Sequence, residues 1–232
     1  MSGKSELFSP LQSTSGAREP GRLRGGWFKH RRSLLEIVLV FGLILVAVWT
    51  PQGRLNSLVS IVAAACVVGL SIAGEWTPSQ LGLTRPLAGA GHILLVGVLL
   101  SVTIMLIGIP LRFAGAGYGL PWSRSWQYAI WSLSQEFILQ SIFFVRFESM
   151  LGSRRAVIAA AALFAVAHLP SPVLTLVALA GGIVFAELFR RWRNLFPLGI
   201  IHAALGLTIA ASLPDRWLHH MRVGIGYLKI HP

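Results

Sequence analysis

Residues 131–170 read WSLSQEFILQSIFFVRFESMLGSRRAVIAAAALFAVAHLP. Two apolar runs, each long enough for a helix, flank the short basic turn Leu151-Gly152-Ser153-Arg154-Arg155. Ser132, Gln135, Glu136 and Gln140 lie in the first run, and His168 closes the second. A carboxylate, two amides and an imidazole are costly to bury among apolar side chains. Within a bilayer, such residues mark a functional site by default.

The surrounding chain argues for a bilayer. Hydrophobic residues make up 54% and charged residues only 12% of the 232 positions, and the mean hydropathy is +0.68. A soluble domain carries about 25% charged residues. The apolar residues fall into runs at 34–50, 56–74, 92–112, 127–148, 156–169, 173–189 and 195–212. These predict an all-α, polytopic integral membrane helix bundle of about seven to eight transmembrane helices. The run 156–169 is short of the ~20 residues that a span needs. The Ser/Gly/Pro-rich, basic stretch 1–33 reads as a disordered cytosolic tail. Residues 34–213 read as the transmembrane domain and 214–232 as a C-terminal tail.

The net charge of +12 raises the question of nucleic acid. The basic residues instead flank the apolar runs, with no aromatic interleaving on one face, so no nucleic-acid partner is expected. Arg85, Arg154-Arg155 and Arg190-Arg191-Trp192-Arg193 join the basic N-terminal stretch on alternate sides of the runs. The positive-inside rule then places the N-terminus in the cytosol, in what we read as the plasma (inner) membrane of a bacterium. Cys66 is the single cysteine, so no intrachain disulfide forms.

Ser132, Gln135, Glu136 and Gln140 fall three, four and eight residues from the first, which puts them on one stripe of a helix. Phe164 and His168 are one turn apart, and His202 lies in the last run with Gly206 one turn beyond. Glu136, His168 and His202 can converge from three helices. Two imidazoles and a carboxylate suit Zn²⁺ with an open water position. Without a metal, a buried Glu136 can serve as general base to water while a histidine orients it or stabilises an oxyanion. Two other readings of the same residues stay open: polar side chains that lock helix packing, and an ion or substrate pathway. The small residues Ala178-Gly181-Gly182 and Gly199-Ala203 favour close helix contacts.

The order of an acid-bearing run, then Phe164-Ala-Val-Ala-His168, then Pro197-Leu-Gly-Ile-Ile-His202-Ala resembles the CPBP (CAAX protease and bacteriocin-processing) family of intramembrane endopeptidases, which includes the Rce1-type prenyl-protein proteases. Its motifs are Glu-Glu-x-x-x-Arg, Phe-x-x-x-His and His-x-x-x-Asn/Asp, and the likeness covers roughly residues 92–212. The resemblance implies an enzyme hydrolysing peptide bonds of membrane-anchored protein or peptide substrates, CAAX-type prenylated ones among them. It implies Glu136, His168 and His202 as the catalytic or metal-holding set, with Gln135 and Gln140 orienting. The chain departs from the pattern in three places. The first Glu falls at Gln135, the Arg at Gln140 and the Asn/Asp at Gly206. These departures leave a second reading, a catalytically silent relative acting as a membrane scaffold or immunity-type binding protein.

Overall fold

The structure is a computed structural model that describes residues 20–111 and 122–229, with side chains from His30 to Leu111 and from Ser123 to Lys229. Every regular element among these residues is helical. They are α1 (Pro20–Trp49), α2 (Arg54–Ile72), α3 (Ala90–Leu111), α4 (Trp122–Glu136), a π-helical segment (Phe137–Phe144), α5 (Val145–Leu151), α6 (Ser153–Val166), α7 (Pro172–Trp192), α8 (Leu195–Ser212), α9 (Asp215–Leu218), a 3₁₀ turn (His219–Met221) and α10 (Gly224–Leu228). Helices are the expected answer for an apolar chain in lipid, because each closes its own backbone hydrogen bonds.

Among the described residues, five helices are long and apolar enough to cross a membrane: His30–Trp49 of α1, then α2, α3, α7 and α8. The expected fourth and fifth spans take other forms. Residues 127–148 lie in one unbroken helical run from Trp122 to Leu151 whose register changes twice. The fifth is α6, with 14 residues. At 1.5 Å per residue it is about 21 Å long, short of a ~30 Å hydrocarbon core.

Burial sorts the helices. In α8, 67% of the span is buried, against 11% in α2, so α8 is the central post and α2 faces outward. The outward faces carry Leu35, Ile61 and Leu106, all exposed as lipid-facing residues are. Helix approach at the centre is set by glycine. A Cβ on Gly97 of α3 would meet the Ile201 Cβ at 2.8 Å, and one on Gly199 of α8 would meet the Leu133 Cα at 3.2 Å. Of the small residues read as packing sites, Gly182 and Gly199 sit in such contacts, while Gly181 meets only Phe185 at ordinary distance.

Two apolar cores meet on the π segment. Leu139 and Phe144 join Ile93, Phe185, Phe189, Leu198 and Ile201. Ile142 and Phe143 join Ile37, Val40 and Val67 of α1 and α2. Residues 139–146 are buried without a break, which a one-faced amphipathic helix would not be.

The polar connector after α2 is pinned to the bundle end. Ser141 Oγ donates to the Leu81 carbonyl at 2.8 Å, and Asn194 Nδ2 donates to the Pro86 and Ala88 carbonyls at 2.8 and 2.9 Å. Gly82 there has φ +79°, and a Cβ would collide with the Phe189 ring.

The termini differ from expectation where they are described. Helix α1 begins at Pro20, inside the stretch read as a disordered tail, and residues 1–19 lie outside the described residues. Pro is well suited to a first helical position. The stretch read as a C-terminal tail carries α9 and α10, and the Gly224 N–H donates to the Leu169 carbonyl at 2.8 Å. The Gly-rich stretch 115–121 (Gly-Ala-Gly-Tyr-Gly-Leu-Pro) lies outside the described residues.

One buried ion pair ties α1 to the rest. Arg146 is fully buried and its Nε donates to Glu36 Oε2 at 2.7 Å. Its Nη1 donates to the Ser141 and Ile142 carbonyls, each at 3.2 Å. Arg32 donates to the other Glu36 oxygen at 2.9 Å. We expect Glu36→Ala to destabilise the protein by about 3–5 kcal/mol, because it strands a buried guanidinium, while Glu36→Leu with Arg146→Met stays close to wild type. Thermal unfolding in detergent of the two variants measures the difference.

Candidate active site

Glu136 is the last residue of α4 and the cap of the π segment. It is fully buried. Ser132, Glu136 and Gln140 follow at intervals of four on the buried side of this helix. Gln140 Nε2 donates to Glu136 Oε2 at 3.1 Å. The other oxygen, Oε1, lies 2.8 Å from His202 Nδ1 on α8. Both carboxylate oxygens therefore have a donor, as a buried charge requires. A carboxylate only accepts, so Nδ1 is the donor in this contact, and in the neutral ring the lone pair then lies on Nε2.

His168 sits in the turn after α6. Its Nδ1 lies 2.7 Å from the Phe164 carbonyl one turn back. A carbonyl also only accepts, so this ring too is protonated at Nδ1 and free at Nε2. The two imidazoles share one aromatic neighbour. Phe164 stands edge-on to His168 at 4.7 Å and to His202 at 5.8 Å between ring centroids. Phe185 of α7 stacks on His202 at 5.3 Å. Helices α4, α6, α7 and α8, the π segment and the turn after α6 thus contribute to one cluster: the buried Glu136, Gln140, Phe185 and His202 with the half-buried Phe164 and His168.

The other expected site residues fall differently. Gln135 is half-buried and makes no side-chain hydrogen bond among the described residues. It lies about 100° around the helix from Glu136, off its line. Ser132 is buried, and its side chain interacts with Tyr128 one turn back instead of with Glu136. Gly206 faces the Tyr128 ring.

Among the described residues no group of three His, Cys, Asp or Glu side chains could hold a metal ion. Glu136 is engaged by His202 and Gln140. Arg146 is the buried cation on the same helix, and it is turned toward α1 and Glu36, not toward Glu136.

Phe185, Tyr128 and the Glu36–Arg146 pair escape a reading of the sequence alone. Phe185 is one aromatic among many in apolar runs, and Tyr128 is opposite a glycine, which carries no signal. Glu36 and Arg146 are far apart in the chain, and nothing local links them.

The fold and the cluster define a membrane-embedded helical bundle with a carboxylate–imidazole pair at its centre. Residues 119–208 match the family model described as type II CAAX prenyl endopeptidase Rce1-like, and that segment holds every member of the cluster. No curated protein and no solved structure matches the chain.

We expect Glu136→Gln to preserve the fold, with stability within about 1 kcal/mol, because the amide oxygen still accepts from His202 and the Gln140 amide, whose Oε1 is otherwise unpaired, can turn over to accept from the new N–H. His202→Leu, which removes a donor from a buried carboxylate, should cost about 3–5 kcal/mol. Chemical unfolding of both variants in detergent measures the contrast.

Proposed function

We propose that the protein is a membrane-embedded endopeptidase acting on membrane-anchored peptides, with prenylated CAAX-type C-termini as the substrate class. The observation that carries this reading is the 2.8 Å contact between the fully buried Glu136 and His202 Nδ1. The substrate class rests on the description of the matched family.

In this reading Glu136 fixes the His202 tautomer and stabilises the imidazolium when it forms. His202 Nε2 takes a proton from water as the water oxygen bonds to the peptide carbonyl carbon. The C–N bond then breaks, and Nε2 returns the proton to the leaving nitrogen. His168 presents a second Nε2 lone pair beside the same phenyl ring, suited to holding the water. Gln140 holds the far oxygen of Glu136. The sequence made Glu136 itself the base. Its two oxygens are taken up by His202 and Gln140, so the free lone pair on Nε2 makes His202 the better candidate. Gln135 has no part in it.

Membrane topology supports a cytosolic N-terminus. Counting the Trp122–Leu151 run and α6 as crossings beside the five long apolar helices, the connector after α2, the turn at Gly152 and the turn at Arg193-Asn194 fall on the side of the N-terminus, and they carry or adjoin Arg85, Arg154, Arg155, Arg190 and Arg191.

The test is cleavage of a quenched-fluorescent farnesylated CAAX peptide by the purified protein in liposomes. Glu136→Gln and His202→Ala should each lower the rate about 10²–10⁴-fold, with the Glu136→Gln fold intact. A folded wild-type protein that cleaves no such peptide, or a Glu136→Gln variant with the wild-type rate, would sink the reading and leave a catalytically silent relative.

A further inference from the structure

Position 206, one turn beyond His202, is a glycine, and the space over it is filled from another helix. Gly206 lies one turn beyond His202 on α8, on the same face. A Cβ there would overlap the Tyr128 hydroxyl oxygen and lie 2.7 Å from Cζ and 2.9 Å from Cε1. The hydroxyl of Tyr128 therefore occupies the place that a side chain at position 206 would take. Tyr128 is two turns before Glu136 on α4, and Ser132 is midway between them. Positions 128, 132, 136 and 140 form one polar file down α4, and the file is packed against α8.

Ser132 is the second observation. It is fully buried, and its side chain interacts with the Tyr128 hydroxyl one turn back. A buried hydroxyl needs such a partner in an apolar interior. Its place between Tyr128 and Glu136 points it at the same α4–α8 seam. Two hydroxyls thus line the seam on one side of the Glu136–His202 pair, with the amide of Gln140 on the other. The seam leaves room for them because residue 206 is glycine.

We propose that Tyr128, backed by Ser132, is a further catalytic residue of this site: its hydroxyl donates a hydrogen bond to the substrate carbonyl oxygen as that oxygen gains negative charge. The inference rests on the endopeptidase reading above. Tyr128 supplies the donor that Gly206 cannot, and the proton on its oxygen stays in place through the step. Hydrogen bonds aimed at developing charge in a water-poor site act on the transition state more than on the bound substrate.

The experiment uses the full chain in liposomes with the farnesylated peptide. Tyr128→Phe removes only the oxygen. It should lower kcat about 10²–10³-fold while KM and thermal unfolding hold. A swap separates chemistry from packing. Tyr128→Ala opens the space at position 206, and adding Gly206→Asn returns a polar group from α8. The Tyr128→Ala/Gly206→Asn protein should regain at least about tenfold of the lost rate. The Tyr128→Ala/Gly206→Leu protein, which fills the space without a donor, should not. Wild-type cleavage that depends on Glu136 but is unchanged in Tyr128→Phe overturns this inference alone. Equal recovery with Asn and Leu also overturns it, since packing would then account for the loss. Absence of any Glu136-dependent cleavage removes the endopeptidase reading and this inference with it.

Discussion

A carboxylate sealed from water has to be answered by hydrogen-bond donors, and Glu136 is sealed completely. Much of the bundle's centre follows from that constraint. Helix α8 must come close enough to bring His202 to Glu136, and the glycines at 97 and 199 permit the approach from both sides. Gln140 must lie under the second oxygen. Phe164 and Phe185 close over the imidazole from α6 and α7. The helix with the most polar residues in its interior is thus the one that organises its apolar neighbours.

The π segment reconciles two demands on one helix. Glu136 has to face α8, and Arg146, ten residues on, has to face Glu36 on α1. Hydrogen bonds from i to i+5 make a wider turn than the α-helix, so each residue advances through a smaller angle. Eight residues of this geometry, Phe137–Phe144, rotate Arg146 away from the direction that a straight α-helix would give it. The guanidinium then reaches Glu36 and the two carbonyls at Ser141 and Ile142. The same segment presents apolar residues to both cores, which is why Leu139 to Val145 are buried all round.

The fold class was legible because hydropathy and charge act over the whole chain and need no local detail. The Glu136–Gln140 contact was legible from a spacing of four. The pairing with His202 followed only from motif order. What stayed hidden has physical reasons. A 3.6-residue period gives no warning of a π segment, and the stripe drawn through Ser132 took in Gln135, which even in a regular helix stands about 100° from its neighbour Glu136. Glu36 gave no sign of its role, because its partner Arg146 lies on a distant helix. The short α6 passed as a span because its apolar run continues through the turn that carries His168. Gly206 looked like a loss, since a glycine says nothing about which neighbour fills its space.

The central claim is the hydrogen bond between Glu136 and His202, and histidine-selective ¹⁵N NMR of the protein in detergent reads it most directly. The account predicts a His202 ring protonated at Nδ1, with an exchange-protected proton far downfield that moves upfield in Glu136→Gln as the acceptor loses its charge. A His202 ring protonated at Nε2, or an Nδ1 proton that exchanges freely and ignores the change at position 136, would contradict it.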